Sequence, residues 1–187
     1  MVQAPSKPLS LEEFLQQPET KPASEYIGGR VVQKPMPGAA HSVIQGELTT
    51  AINAALRPSK VARAFLELNC TFGDNSVVPD IAVLPWQDIP RQQDGMLGGD
   101  FLIAPAWMIE ILSPRQSQTI VTMKILRCLE DGTQMGWLID PAMKCVFSYT
   151  PDSAPVSHVE ADQVLPVPSF ASKFSLTLGK LINWLYE

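Results

Sequence analysis

The chain has 187 residues, 45% of them hydrophobic, which is enough for the core of one domain. Its formal net charge is −5 and its 14 Lys and Arg are scattered, which excludes a broad basic nucleic-acid surface and leaves room only for a narrow groove or one completed by a dimer. Cys70, Cys128 and Cys145 lie far apart with no Cys-x-x-Cys pair, which argues against a zinc site or disulfide framework and suits a reducing cytoplasm.

In chain order, residues 1–9 read as a loose arm without the apolar core of a signal peptide. Ser10 and Glu13 form a capping box, so a short helix is expected over 11–17, stopping at Pro18. Residues 25–34 read as a hairpin about Gly28-Gly29. Ile44, Leu48, Ile52 and Ala55 recur at helical spacing over 40–56, and Pro58 ends that helix. A strand over 61–72, a turn at 73–76 and a returning strand over 77–84 follow. Residues 85–105 read as a long loop, with Trp86 and Met96 as a contact surface for a homodimer. The unbroken apolarity of 106–112 suggests a strand buried on both faces. A helix is expected over 115–130, strands over 135–139 and 144–149, and a last helix capped by Thr177. No run spans a bilayer. The expected fold is α/β, a mixed sheet flanked by helices, in one domain over 10–187.

Three charged residues stand in apolar company. Asp80 lies in Val-Pro-Asp-Ile-Ala-Val-Leu (78–84) and Glu110 in Ala-Trp-Met-Ile-Glu-Ile-Leu (106–112). Lys124 shares a helix face with Ile120, Val121 and Cys128. Unpaired charges in such places are expensive, so partners or a metal are expected. Each has a plain alternative: Asp80 as a turn residue, Glu110 paired with an arginine, Lys124 packing its stem while its amine reaches water. Taken together, two carboxylates that repel each other call for a hard cation, Mg²⁺ or Mn²⁺, with Asp80 and Glu110 as ligands and Lys124 beside them.

The segments Val-Val-Pro-Asp-Ile-Ala-Val (77–83), Ile-Glu-Ile-Leu-Ser-Pro (109–114), Lys124 and Gly-Trp-Leu-Ile-Asp-Pro (136–141), in that order, resemble the Uma2 family. These are restriction-endonuclease-like proteins of the PD-(D/E)XK superfamily, and the similarity runs over roughly residues 10–185. The superfamily's lysine normally follows its acid by two residues, a place held here by Leu112. The resemblance implies that Lys124 has taken over from the next helix. It also implies site roles for Glu25, which matches the family's glutamate before the first hairpin, and for His41, which matches a recurrent histidine. An exposed loop acid explains Glu25 as well, and a satisfied structural histidine explains His41. Between the Ser-Pro and the lysine, where relatives often carry several basic residues, this chain has only Arg115.

The resulting expectation is a metal-dependent endonuclease acting on nucleic acid, DNA rather than RNA, in the cytoplasm and as a homodimer. The alternatives are an inert nuclease-fold protein serving as an oligomeric interaction module, and a metal-dependent hydrolase of a small phosphorylated molecule.

Overall fold

The computed structural model describes residues 9–114 and 116–187. The expected arm therefore lies outside the described residues except for Leu9, and so does Arg115. Ser10 caps α1 (Leu11–Leu15) through the capping box, with Glu13 bonding back to the Ser10 amide. The hairpin of β1 (Ser24–Ile27) and β2 (Arg30–Gln33) turns on Gly28 and Gly29, whose φ values of +55° and +80° are the left-handed pair that a two-residue hairpin needs. α2 (Ala39–Leu56) follows as expected and buries Ile44, Leu48, Ile52 and Leu56.

The expected hairpin over 61–84 is the place where the structure differs most. Both arms break and change sheet. The first divides into β3 (Ala62–Leu66) and β4 (Cys70–Phe72), the second into β5 (Asn75–Val77) and β6 (Ile81–Pro85). The breaks face each other, since the Glu67 amide donates to the Asp80 carbonyl. Glu67 has φ +45°, and Pro79 has no N–H for a ladder, so neither arm continues straight. The expected single sheet is accordingly two.

β7 (Trp107–Ile111) is buried at every position. α3 (Gln118–Glu130) starts three residues later than expected because Ser113 and Gln116 first close a turn with two mutual hydrogen bonds. β8 (Met135–Asp140) and β9 (Cys145–Tyr149) match the expectation. β10 (Val156–His158) has no alternating pattern to announce it and forms by pairing along β9. Thr177 caps α4 (Leu178–Asn183) as expected.

Among the described residues the strands form a six-stranded sheet, ordered β10-β9-β8-β7-β6-β3, and a four-stranded sheet, ordered β2-β1-β5-β4. Only β7 and β8 pair parallel; their neighbours are antiparallel. One face of the large sheet packs Trp107, Ile109 and Ile111 against α2 and α4. The other packs Met108 and Leu138 against Val121, Ile125 and Cys128 of α3 and against the small sheet. By strand alternation Glu110 falls on this second face, beneath α3. Gly136 allows α3 to come close: a Cβ there would sit 2.3 Å from Ile125 Cγ2. No helix among the described residues is long and apolar enough to cross a membrane.

Candidate active site

The short segment Val78-Pro79-Asp80, between β5 and β6, organises the site. Apart from the Glu67 amide bonded to the Asp80 carbonyl, its backbone partners are side chains from distant parts of the chain. Glu25 Oε1 accepts from the Val78 amide at 2.7 Å, Lys34 Nζ donates to the Val78 carbonyl at 2.8 Å, and Gln45 Nε2 donates to the Asp80 carbonyl at 2.9 Å. Buried backbone groups need such partners, so this break requires polar side chains in the interior.

Two ionic centres flank the segment. In the first, Lys124 Nζ donates to Glu25 Oε1 and lies 2.8 Å from Glu110 Oε1. The approach to Glu110 is at ion-pair distance but outside hydrogen-bonding geometry, and Oε1 has no hydrogen-bond partner. All three side chains are at most 4% exposed. The second centre is Asp80. Its Oδ1 is 2.6 Å from Lys34 Nζ and 3.4 Å from His41 Nε2, while Oδ2 accepts from the Ile111 amide at 2.7 Å. His41 Nδ1 pairs with Ser113 Oγ at 3.1 Å. The Ser113–His41–Asp80 chain resembles a nucleophile triad, but Ser113 is buried and does not line either cavity described below. It holds the imidazole in place.

All five expected residues, Glu25, His41, Asp80, Glu110 and Lys124, are thus buried in one cluster. The expected direct grouping of Asp80, Glu110 and Lys124 is split: Lys124 joins Glu110 to Glu25, and Asp80 joins Lys34 to His41. Lys34 is the residue that the sequence reading missed. Strand parity carried a signal for it. Glu25 stands opposite Val32 in the β1–β2 register, and Lys34 lies two residues on, so all three share a side. The alternatives for Lys124 and Glu25 fail, since neither reaches the surface.

The charges set the protonation states. Burial drives Glu110 up to about 7, and the Asp80 and Glu25 charges add to that against Lys124 and Lys34. Burial also opposes ionisation of Asp80, but the His41 hydrogen bond and the Lys34, His41 and Lys124 charges outweigh it, so Asp80 stays below the usual carboxylate range. For Lys124 burial favours the neutral amine, and Glu110, Glu25 and Asp80 overcome it, raising its pKa. Lys124 is therefore a fixed ammonium. Cys70 and Cys128, buried nearby with burial-raised pKa values, are inert thiols.

A cavity of about 220 Å³ opens onto the cluster, lined by Glu25, Lys34, Glu110, Gln116 and Lys124 among others. A second, of about 600 Å³, is lined by Phe14, Met36, Glu67, Asn69 and Val78. Lys34 and Pro35 line both, and Asp80 lines neither. For a cation, the donors are hard oxygens of the right kind, and Glu110, whose Oε1 has the Lys124 ammonium as its ion-pair partner, lines the smaller cavity. Among the described residues, however, no three His, Cys, Asp or Glu side chains are disposed to grip an ion together. The residues fit a divalent ion in chemistry, with Asp80 covered by Lys34.

The two sheets and their flanking helices place the protein in a mixed α/β class. The chain belongs to the Uma2 family, described as "Putative restriction endonuclease", which matches over residues 11–179. It is also similar to a solved structure from Anabaena variabilis ATCC 29413, described as a "putative nuclease belonging to DUF820". That likeness has 56% identity and a TM-score of 0.93, covering 95% of this chain and 99% of the other. No curated protein matches.

Proposed function

We propose that the protein is a divalent-metal-dependent endonuclease that hydrolyses phosphodiester bonds, in DNA rather than RNA. The observation that carries this reading is the Lys124 ammonium, fixed by Glu25 and Glu110 at the wall of a cavity. A cation held this rigidly in a low-dielectric wall can stabilise charge that develops on a phosphate. Its carboxylate neighbours hold its pKa above the usual lysine value, so we assign it hydrogen bonding and charge neutralisation. Glu25 positions it. His41, held by Ser113, helps keep Asp80 ionised. Asp80 and Glu110 are the residues to hold Mg²⁺ or Mn²⁺. When bound, such an ion polarises a water and a phosphate oxygen, which is the usual contribution of hard cations to phosphoryl chemistry.

Family membership and the likeness to a structure described as a "putative nuclease" support a nucleic-acid substrate. A homodimer would place two such sites on the two strands of a duplex. The exposed Met96 and Leu102 in the loop after β6 support that loop as the contact face.

One observation favours the alternative of an inert nuclease-fold module: both Asp80 oxygens already take protein donors. Plasmid incubation with Mg²⁺ and Mn²⁺ separates the two. The nuclease reading expects nicking or linearisation that disappears in Glu110→Ala and in Lys124→Met. Intact plasmid under every condition, with well-folded protein, favours the module.

A further inference from the structure

Lys34 is the ionic member of the cluster that the family-like motifs do not include. Its Nζ contacts Asp80 Oδ1 at 2.6 Å and the Val78 carbonyl at 2.8 Å. Its side chain is 8% exposed, so this pair is not a screened surface contact. It lines both cavities while Asp80 lines neither, so the lysine stands between the carboxylate and each of these two cavities. A divalent ion binds a carboxylate oxygen at about 2.0–2.1 Å when it is Mg²⁺-sized. An ammonium at 2.6 Å from the same oxygen would then face a double positive charge at near contact.

We propose that Lys34 is a tethered counter-ion that competes with the divalent cation for Asp80. In the metal-free protein its ammonium neutralises the carboxylate; to admit a metal it must swing away. Its long stem and compact charge suit such a movement, and the larger cavity beside it offers room. The affinity for metal is therefore set partly by the strength of the internal ion pair that the metal has to displace. This inference rests on the metal-dependent reading above and adds a residue that limits it.

Titration calorimetry of the metal-free full chain with Mn²⁺ tests it. Lys34→Met should bind Mn²⁺ at least tenfold more tightly than the parent, and Lys34→Arg should not. Glu110→Ala, run alongside, should lose the binding and so assign the heat to this cluster. If Lys34→Met does not fold, Lys34→Gln, whose amide can keep the Val78 bond, should show the same tightening. Parent and variant dissociation constants within twofold of each other, or a weaker variant, overturn the counter-ion role while leaving the metal site standing. Absence of Mn²⁺ binding in parent and variants alike overturns both.

Discussion

Glu25 and Lys124 are joined by a hydrogen bond across 99 residues of sequence, and the same Glu25 oxygen also accepts from the Val78 amide. One carboxylate oxygen thus ties α3 to the strand break that presents Asp80. Replacing Glu25 with Ala should leave a buried ammonium with Glu110 alone and an orphaned amide. Breaking a buried pair typically costs ~3–5 kcal/mol, and the remaining Glu110 contact points to the lower end. Denaturant unfolding of Glu25→Ala checks this. A midpoint equal to the parent's would mean that the contact is not formed.

Glu110 should give stability an unusual pH dependence. Burial lifts its pKa in the fold to about 7, from the ordinary glutamate value of 4.5. A raised folded-state pKa means a contribution that is full below the unfolded value and is lost as pH climbs through the folded one. The parent should therefore lose stability from this group between about pH 4.5 and pH 7, by an amount on the order of 3 kcal/mol at ~1.4 kcal/mol per unit. Asp80, shifted the other way, contributes above its unfolded value and loses that contribution in acid. Glu110→Gln should flatten the profile from pH 5 to 7.5 and melt above the parent at pH 7.5. Parallel melting curves for the two proteins across this range would sink the assignment.

Gly136 sets how closely α3 approaches β8. A Cβ would lie 2.3 Å from Ile125 Cγ2, and the Ile125 side chain is fully buried with nowhere to yield. Gly136→Ala should destabilise by about 1–3 kcal/mol, as overpacking does. Because Lys124 precedes Ile125, the displaced helix should also carry the ammonium away from Glu110. Thermal melting and plasmid cleavage should both fall. The double variant Gly136→Ala/Ile125→Leu, which removes the Cγ2 branch, should recover part of each, which a loss unrelated to this contact would not do.

Much of this was legible in the residues. Periodicity marked α2, the apolar run marked β7 as doubly buried, and Ser10 and Thr177 marked their helix starts. The chemistry showed because charge in apolar company is rare: Asp80, Glu110 and Lys124 stood out for that reason, and all are buried. What stayed hidden depends on contacts between distant segments. A break at Glu67 opposite a break at Pro79 leaves no local trace that the arms enter different sheets. β10 exists through its pairing with β9, and its own residues carry no alternation. Lys34 looked like the polar end of a hairpin, since only the fold brings Asp80 within 2.6 Å of it.

The Lys34–Asp80 pair can be weighed without reference to activity. Asp80→Asn should leave Lys34 buried without its counter-charge, and Lys34→Met should leave Asp80 relying on His41 and the Ile111 amide. Removing one partner of such a pair costs ~3–5 kcal/mol, whereas replacing both by groups of similar volume is often close to neutral. The double variant Asp80→Asn/Lys34→Met should therefore be more stable than the sum of the single changes predicts, by about 1–3 kcal/mol of coupling. Chemical denaturation of the parent, the two single variants and the double variant in metal-free buffer gives that coupling directly. Additivity within about 0.5 kcal/mol would mean that the two charges do not meet in solution.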